Sequence, residues 1–228
     1  KGEDAVAALQ MQYHITKEQA IDFGKQLQKL QIVHHVTAAS AFGFNEHFYR
    51  LQCHHTPNIL NSYRIWTERV DENAMGLVKN LKSLMSKIES AVRDSDGNVN
   101  YQQATTLPEY TLLEEAVCEV QKVDIKSMDD TTKIAFGINL YNLMIKYAFM
   151  KVGIGTTNFS RFGFYSKVSM NIGGYILSFN DLENGVLRGN RKAPYTLSLP
   201  FGSKDPRSEL AVKKPDCRIH FGLNCGAR

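Results

Sequence analysis

A chain of 228 residues with 43% hydrophobic and 22% charged residues has globular composition and suffices for one large or two small domains, which excludes disordered and collagenous classes. Its longest apolar stretch, residues 134–154, is interrupted by Asn139, Asn142, Lys146 and Lys151, too polar for the ~20 apolar residues of a bilayer span. The net charge of +4 is uneven: five basic residues balance five acidic ones through Thr56, whereas nine stand against three from Gly185 onward, a solvated basic stretch lacking the aromatic interleaving of a nucleic-acid binder.

The cysteines Cys53, Cys118, Cys217 and Cys225 are spread widely, form no CxxC pair and fit a reducing compartment, so a cytoplasmic location is expected. The chain opens Lys1-Gly2-Glu3-Asp4 without a charged-then-apolar leader.

Glu3 and Asp4 favour the first turn of a helix from Gly2 to Gln12, where Val6 and Leu9 repeat at helical spacing. Thr16 and Gln19 form a capping box for a second helix, with Ala20, Phe23, Gly24, Leu27 and Leu30 on one stripe and Gly24 open to a close neighbour. Residues 32–36 and 48–51 are short β-prone runs that read as a hairpin or wing, and together these elements make a winged-helix arrangement.

In order and spacing, Gly2, Ala5-Val6, Leu9, Ala20, Gly24, Leu27, Ile32, His35-Val36, Phe42 and Phe48-Tyr49-Arg50-Leu51 resemble the DEP domain over residues 1–52. Ala8 stands where that family usually has Trp, and the family's first helix and β-arm would lie before Lys1. The resemblance therefore implies an interaction module, and the membrane and receptor contacts that this first segment carries in some members are not transferred.

Residues 53–73 read as a connector broken at Pro57, within which Ile59, Leu60, Ile65 and Trp66 could pack as a short helix. An amphipathic helix is expected over residues 75–93, with Val78, Leu81, Leu84, Met85, Ile88 and Val92 on one face and a turn at Asp94-Ser95-Asp96-Gly97. A calcium-loop register over that turn would put Val92 and Gln103 where carboxylates must bind, so it is rejected.

A further helix is expected over residues 110–121. Asp129-Asp130-Thr131 caps a helix over residues 132–151, apolar on all faces, closed by Gly153 and hence central. Residues 162–180 read as a strand pair turning at Gly173-Gly174.

The loop from Gly153 to Asn158 lacks the third glycine of a dinucleotide fingerprint and follows a helix, and no Walker sequence, HExxH or GxSxG occurs. The paired histidines His34-His35 and His54-His55 would point to opposite faces of a strand, which preforms no metal site. Asn139, Asn142 and Lys146 share one face of the apolar helix and require polar partners or a cleft.

Asp181, Glu183, Arg188 and Arg191 form a charged cluster, in which Glu183 and Arg188 are binding candidates or an ion pair. The terminal block, residues 217–226, holds Cys217, His220 and Cys225; a zinc site there lacks a fourth ligand, so no metal or cofactor is assigned. His220 with Cys225 as base and nucleophile, oriented by Asn139 or Asn142, is the catalytic alternative to capping and packing roles.

Residues 136–142, 173–188 and 216–226 look like the three signature blocks of the domain of unknown function 547 family. Gly137 stands where Trp is common, Tyr147 where many members have His, and Cys217 where Pro is usual; the last block would continue beyond Arg228. The resemblance implies no agreed reaction.

The sequence thus predicts an α+β chain: a winged-helix-like DEP module over residues 1–52, a connector over 53–73, and a mostly helical domain of unknown function 547 with a small sheet over 74–228. The expected role is an adaptor in intracellular signal transduction with a protein partner, weak or no membrane binding and no nucleic acid. The alternative is a cysteine-dependent hydrolase or transferase using Cys225 and His220.

Overall fold

A computed structural model describes residues 1–36, 40–56, 58–68, 73–155, 157–193 and 196–224, apart from the side chains of residue 55 and residues 158–162. Packing divides the chain into two units, residues 1–57 with 62–67 and residues 58–61 with 68–228. The architecture is mostly helical α+β with two small antiparallel strand pairs.

In the first unit, α1 (Gly2–Tyr13) ends where His14 adopts a left-handed conformation. The capping box of α2 (Lys17–Lys29) forms as read: Gln19 donates its amide to Thr16 Oγ1 at 3.2 Å, and Thr16 N–H reaches Gln19 Oε1 at 2.8 Å. Val6, Ala20, Val33 and Phe42 make the buried core.

Two residues predicted on the apolar stripe of α2 lie outside that core, Phe23 being 39% and Leu30 40% exposed. The reason is steric. The Phe42 ring seats directly on Gly24, where a β-carbon would stand 2.0 Å from Cε1, so the buried face centres on Ala20 and Gly24. Strands β1 (Val33–His35) and β2 (Tyr49–Leu51) pair antiparallel with His34 opposite Arg50, followed by the short α3 (Gln52–His55).

Residues 58–67 form no helix. Instead Ile59 bridges Ser169 in parallel, with Leu60 N–H donating to Ser169 O at 2.8 Å and Ser169 N–H to Asn58 O at 3.0 Å. The extended backbone is thereby satisfied across the chain, which removes the drive to coil.

The second unit is built around α7 (Asp130–Val152), capped where Asp129 Oδ1 accepts Thr132 N–H at 3.0 Å and stopped by Gly153 at φ 81°. Against it pack α4 (Ala74–Ala91) and the short α5 (Tyr101–Ala104), with α6 (Pro108–Ala116) packed on α4. On α4 the buried apolar side chains are Leu77, Val78, Leu81, Met85 and Ile88, joined by Val92 beyond its end. Asp94 closes the turn that follows by accepting the amides of Asp96 and Asn98 at 3.0 and 2.8 Å.

The stretch predicted as one helix over residues 110–121 tightens after Ala116 into a 3₁₀ segment, Val117–Lys122. Residues 158–167 form α8, so 162–167 are helix rather than the expected strand, and only then do β3 (Ser169–Ile172) and β4 (Tyr175–Ser178) pair around Gly173-Gly174. Gly173 is needed at that turn: its φ is +61° and a β-carbon would lie 2.2 Å from Val123 O.

After β4, Asp181–Leu187 is π-helical, with Arg188 N–H donating to Glu183 O at 2.9 Å. A 3₁₀ turn, Pro206–Leu210, and the short α9 (Ile219–Gly222) complete the unit. Among the described residues no helix is long and apolar enough to cross a membrane.

Candidate functional site

The polar stripe of α7 meets partners on both sides. Asn142 grips the terminal block: its amide donates to Gly222 O at 2.9 Å and its carbonyl accepts Asn224 N–H at 2.7 Å. Asn139 turns toward α4, where its carbonyl accepts Lys82 Nζ at 2.9 Å while its amide donates back to Ala135 O at 2.8 Å. One turn beyond Asn142, Lys146 pairs with Glu89 at 2.7 Å.

Glu89 is only 7% exposed, and Tyr101 donates to its other oxygen at 3.5 Å. Burial, followed by the charge of Glu89, raises the Tyr101 phenol above its ordinary pKa. Between these contacts lies a groove of about 270 Å³ lined by Lys82, Met85, Ser86, Asn139, Asn142, Leu143, Lys146 and Asn224.

A second constellation sits where α9 approaches the π-helical segment. Arg188 binds one Glu183 oxygen through Nε and Nη2 at 3.2 and 2.9 Å, and Tyr141 O–H donates to the other at 3.4 Å. Arg188 Nη2 also lies 3.4 Å from His220 Nδ1. A guanidinium only donates, so in a hydrogen bond across this contact Nδ1 is the acceptor.

The sequence-predicted residues are therefore distributed over two neighbouring places. Glu183 and Arg188 pair with each other, and Arg188 meets His220. The group at the imidazole is Arg188; Asn139 and Asn142 bond instead to Lys82, Ala135 and the backbone of the terminal block. Cys225 lies outside the described residues, and Cys217 is exposed.

Asp181 does not join Glu183 and Arg188. It accepts Arg207 Nη1 at 3.2 Å, while Arg207 also binds Asp205 and lies over the Phe201 ring. Asp181 and Ser178 cap the helical turn reciprocally, Ser178 N–H to Asp181 Oδ2 at 3.0 Å and Asp181 N–H to Ser178 Oγ at 3.1 Å. The Ser-x-x-Asp spacing at 178–181 is the local signal that identifies this start.

Lys82, Ser86, Tyr141 and Asn224 were not among the residues singled out from sequence. For Lys82 and Ser86 a signal existed: they follow Leu81 and Met85 and stand at helical spacing with Glu89, on the edge of the apolar face of α4. Tyr141 and Asn224 carry no comparable pattern, because their partners lie 42 and 82 residues away.

No curated protein and no solved structure matches the chain. Residues 125–228, which contain α7, the second strand pair, the π-helical segment and α9, match the family described as protein of unknown function, DUF547.

Proposed function

We propose that the protein is an interaction module of intracellular signal transduction, acting in the cytoplasm by binding a protein partner through its first unit. The observation that carries this reading is an open, predominantly apolar groove of about 310 Å³, lined in part by Ala8, Leu9, Leu27, Val33, Phe42 and Tyr49. Such a groove takes apolar side chains of a partner chain. The DEP reading of residues 1–52 rests on the sequence pattern and agrees with the order of two helices and a strand pair.

Membrane recruitment has little support from charge. Basic residues near an anionic surface contribute about 1 kcal/mol each, and the acidic residues through Thr56 cancel the basic ones there. Selection of a displayed peptide library on the full chain tests the reading: peptides with apolar anchors should be enriched and should lose binding to Leu9→Asp. Enrichment that is unchanged by Leu9→Asp rejects the groove as the binding surface.

A second reading is favoured by one observation, the grip of Asn142 on residues 222 and 224, immediately before Cys225 in sequence. On this reading the second unit is a cysteine-dependent hydrolase or transferase with Cys225 as nucleophile and His220 as its base. Alkylation of Cys225 across a pH series should then outpace that of the exposed Cys217 and slow in His220→Ala. Equal rates with identical pH profiles in both proteins exclude it.

A further inference from the structure

We infer that the groove between α4 and α7 binds a small organic anion, its oxyanion group held by Lys82 beside Lys146 and its short apolar stem over Met85 and Leu143. This site is separate from the partner groove of the first unit and requires no participation of Cys225. The argument is one of charge and donor accounting among the lining residues.

Among the described residues, two ammonium groups line the groove and no carboxylate does. Lys146 is neutralised by Glu89 at 2.7 Å. Lys82 is bonded to the neutral amide oxygen of Asn139 at 2.9 Å, which leaves one positive charge without a counter-charge among the described residues of the groove. An ammonium carries three donors and no acceptor, so both lysines keep hydrogens for a ligand after these bonds.

The other polar groups add donors. Asn139 uses one amide hydrogen on Ala135 O and retains the second, and Ser86 of α4 lines the groove as a further hydroxyl donor. Asn142 has both ends of its amide engaged by the terminal block, so it braces the wall without offering a group. A site rich in donors and carrying an excess positive charge selects an acceptor-rich anion.

Size and floor limit the rest of the ligand. A volume of about 270 Å³ falls just below the ~300–1,000 Å³ typical of ligand pockets, and Met85 and Leu143 supply an apolar floor. The shared chemistry is thus a single oxyanion on a short aliphatic stem. A carboxylate and a phosphate monoester both satisfy it.

The full chain, labelled with ¹⁵N, would be titrated with butyrate, with propyl phosphate and with neutral butyramide while backbone amides are followed. Saturable shifts at Lys82, Ser86, Asn139 and Asn224 are expected with at least one anion, and the tighter of the two identifies the headgroup. Lys82→Met should weaken that binding about tenfold, consistent with loss of a charge-assisted hydrogen bond. Lys82→Arg should largely retain it, and Lys87→Met, which removes the same charge elsewhere on α4, should leave it unchanged. Absence of saturable shifts with both anions, equal shifts with butyramide, or equal loss in the Lys82 and Lys87 variants overturns the inference.

Discussion

Phe42 lies on Gly24 at a distance that only a hydrogen permits: a β-carbon at position 24 would stand 2.0 Å from Cε1 and 2.1 Å from Cδ1 of the ring. The ring cannot simply step aside. Phe42 N–H is bonded to Gln28 Oε1 at 2.6 Å, and the Tyr49 ring packs 4.8 Å away, centroid to centroid.

Gly24→Ala should therefore destabilise the first unit despite a gain in helix propensity. Overpacking typically costs about 1–3 kcal/mol, whereas replacing helical Gly by Ala recovers about 1 kcal/mol. The single tryptophan, Trp66, lies in this unit and is 9% exposed, so its fluorescence during urea unfolding reports the change. An unchanged midpoint would mean that the ring relocates at no cost.

Asn61 ties remote segments of the second unit together. Its amide donates to Asn171 O at 2.8 Å and Val117 O at 3.3 Å, and its carbonyl accepts Asn171 N–H at 2.8 Å, all with the side chain fully buried. Asn61→Ala leaves those backbone groups without their partner and should cost about 2–4 kcal/mol. Accelerated amide exchange at Asn171 with a lowered thermal midpoint is the expected result; unchanged exchange there would show that other groups replace the side chain.

Elements set by local chemistry were legible. The Thr16–Gln19 box, the Asp129 cap, the Gly153 stop and the Gly173-Gly174 turn each depend on residues within a few positions of one another. What escaped depends on distant partners. Residues 58–61 read as connector because nothing local reveals a bridge to Ser169, and residues 162–167 of α8 read as strand because aromatic residues suit either state. The need of the α7 stripe for polar partners was legible, but their identity was not: Lys82 and Glu89 each lie 57 residues from the α7 residue they bind.

Lys146 and Glu89 illustrate the energetic side of that stripe. Their side chains are 33% and 9% exposed, so the carboxylate is the more deeply buried member. Lys146→Met should remove its counter-charge and destabilise the second unit by about 1–3 kcal/mol, below the ~3–5 kcal/mol of a fully buried pair because the ammonium is partly solvated. Adding Glu89→Gln should restore most of the loss. Additive losses in the double variant would show that the two side chains contribute independently.

The last expectation concerns alkaline pH. Tyr147 is fully buried and Tyr110 nearly so, and both face Glu114: Tyr147 O–H donates to Oε1 at 3.3 Å and Tyr110 O–H at 3.4 Å, while Lys151 pairs with the same oxygen at 2.9 Å. Burial first, and then the negative charge of Glu114, raises both phenols well above the ordinary value of 10.0. In the unfolded chain these phenols ionise near pH 10; in the folded chain they keep their protons to higher pH. Above about pH 10 the unfolded state thus binds fewer protons, and the slope of stability with pH is negative. Their stabilising contribution is complete below pH 10 and is lost as pH rises toward the folded values. Near-ultraviolet absorbance should show exposed tyrosines ionising first and the buried phenols only with loss of the helical circular dichroism signal. Tyr147→Phe removes one of these linked protons and should move the alkaline unfolding transition upward relative to its own neutral-pH stability. Ionisation of all ten tyrosines in one step near pH 10, with the helical signal intact, would contradict the burial of both phenols.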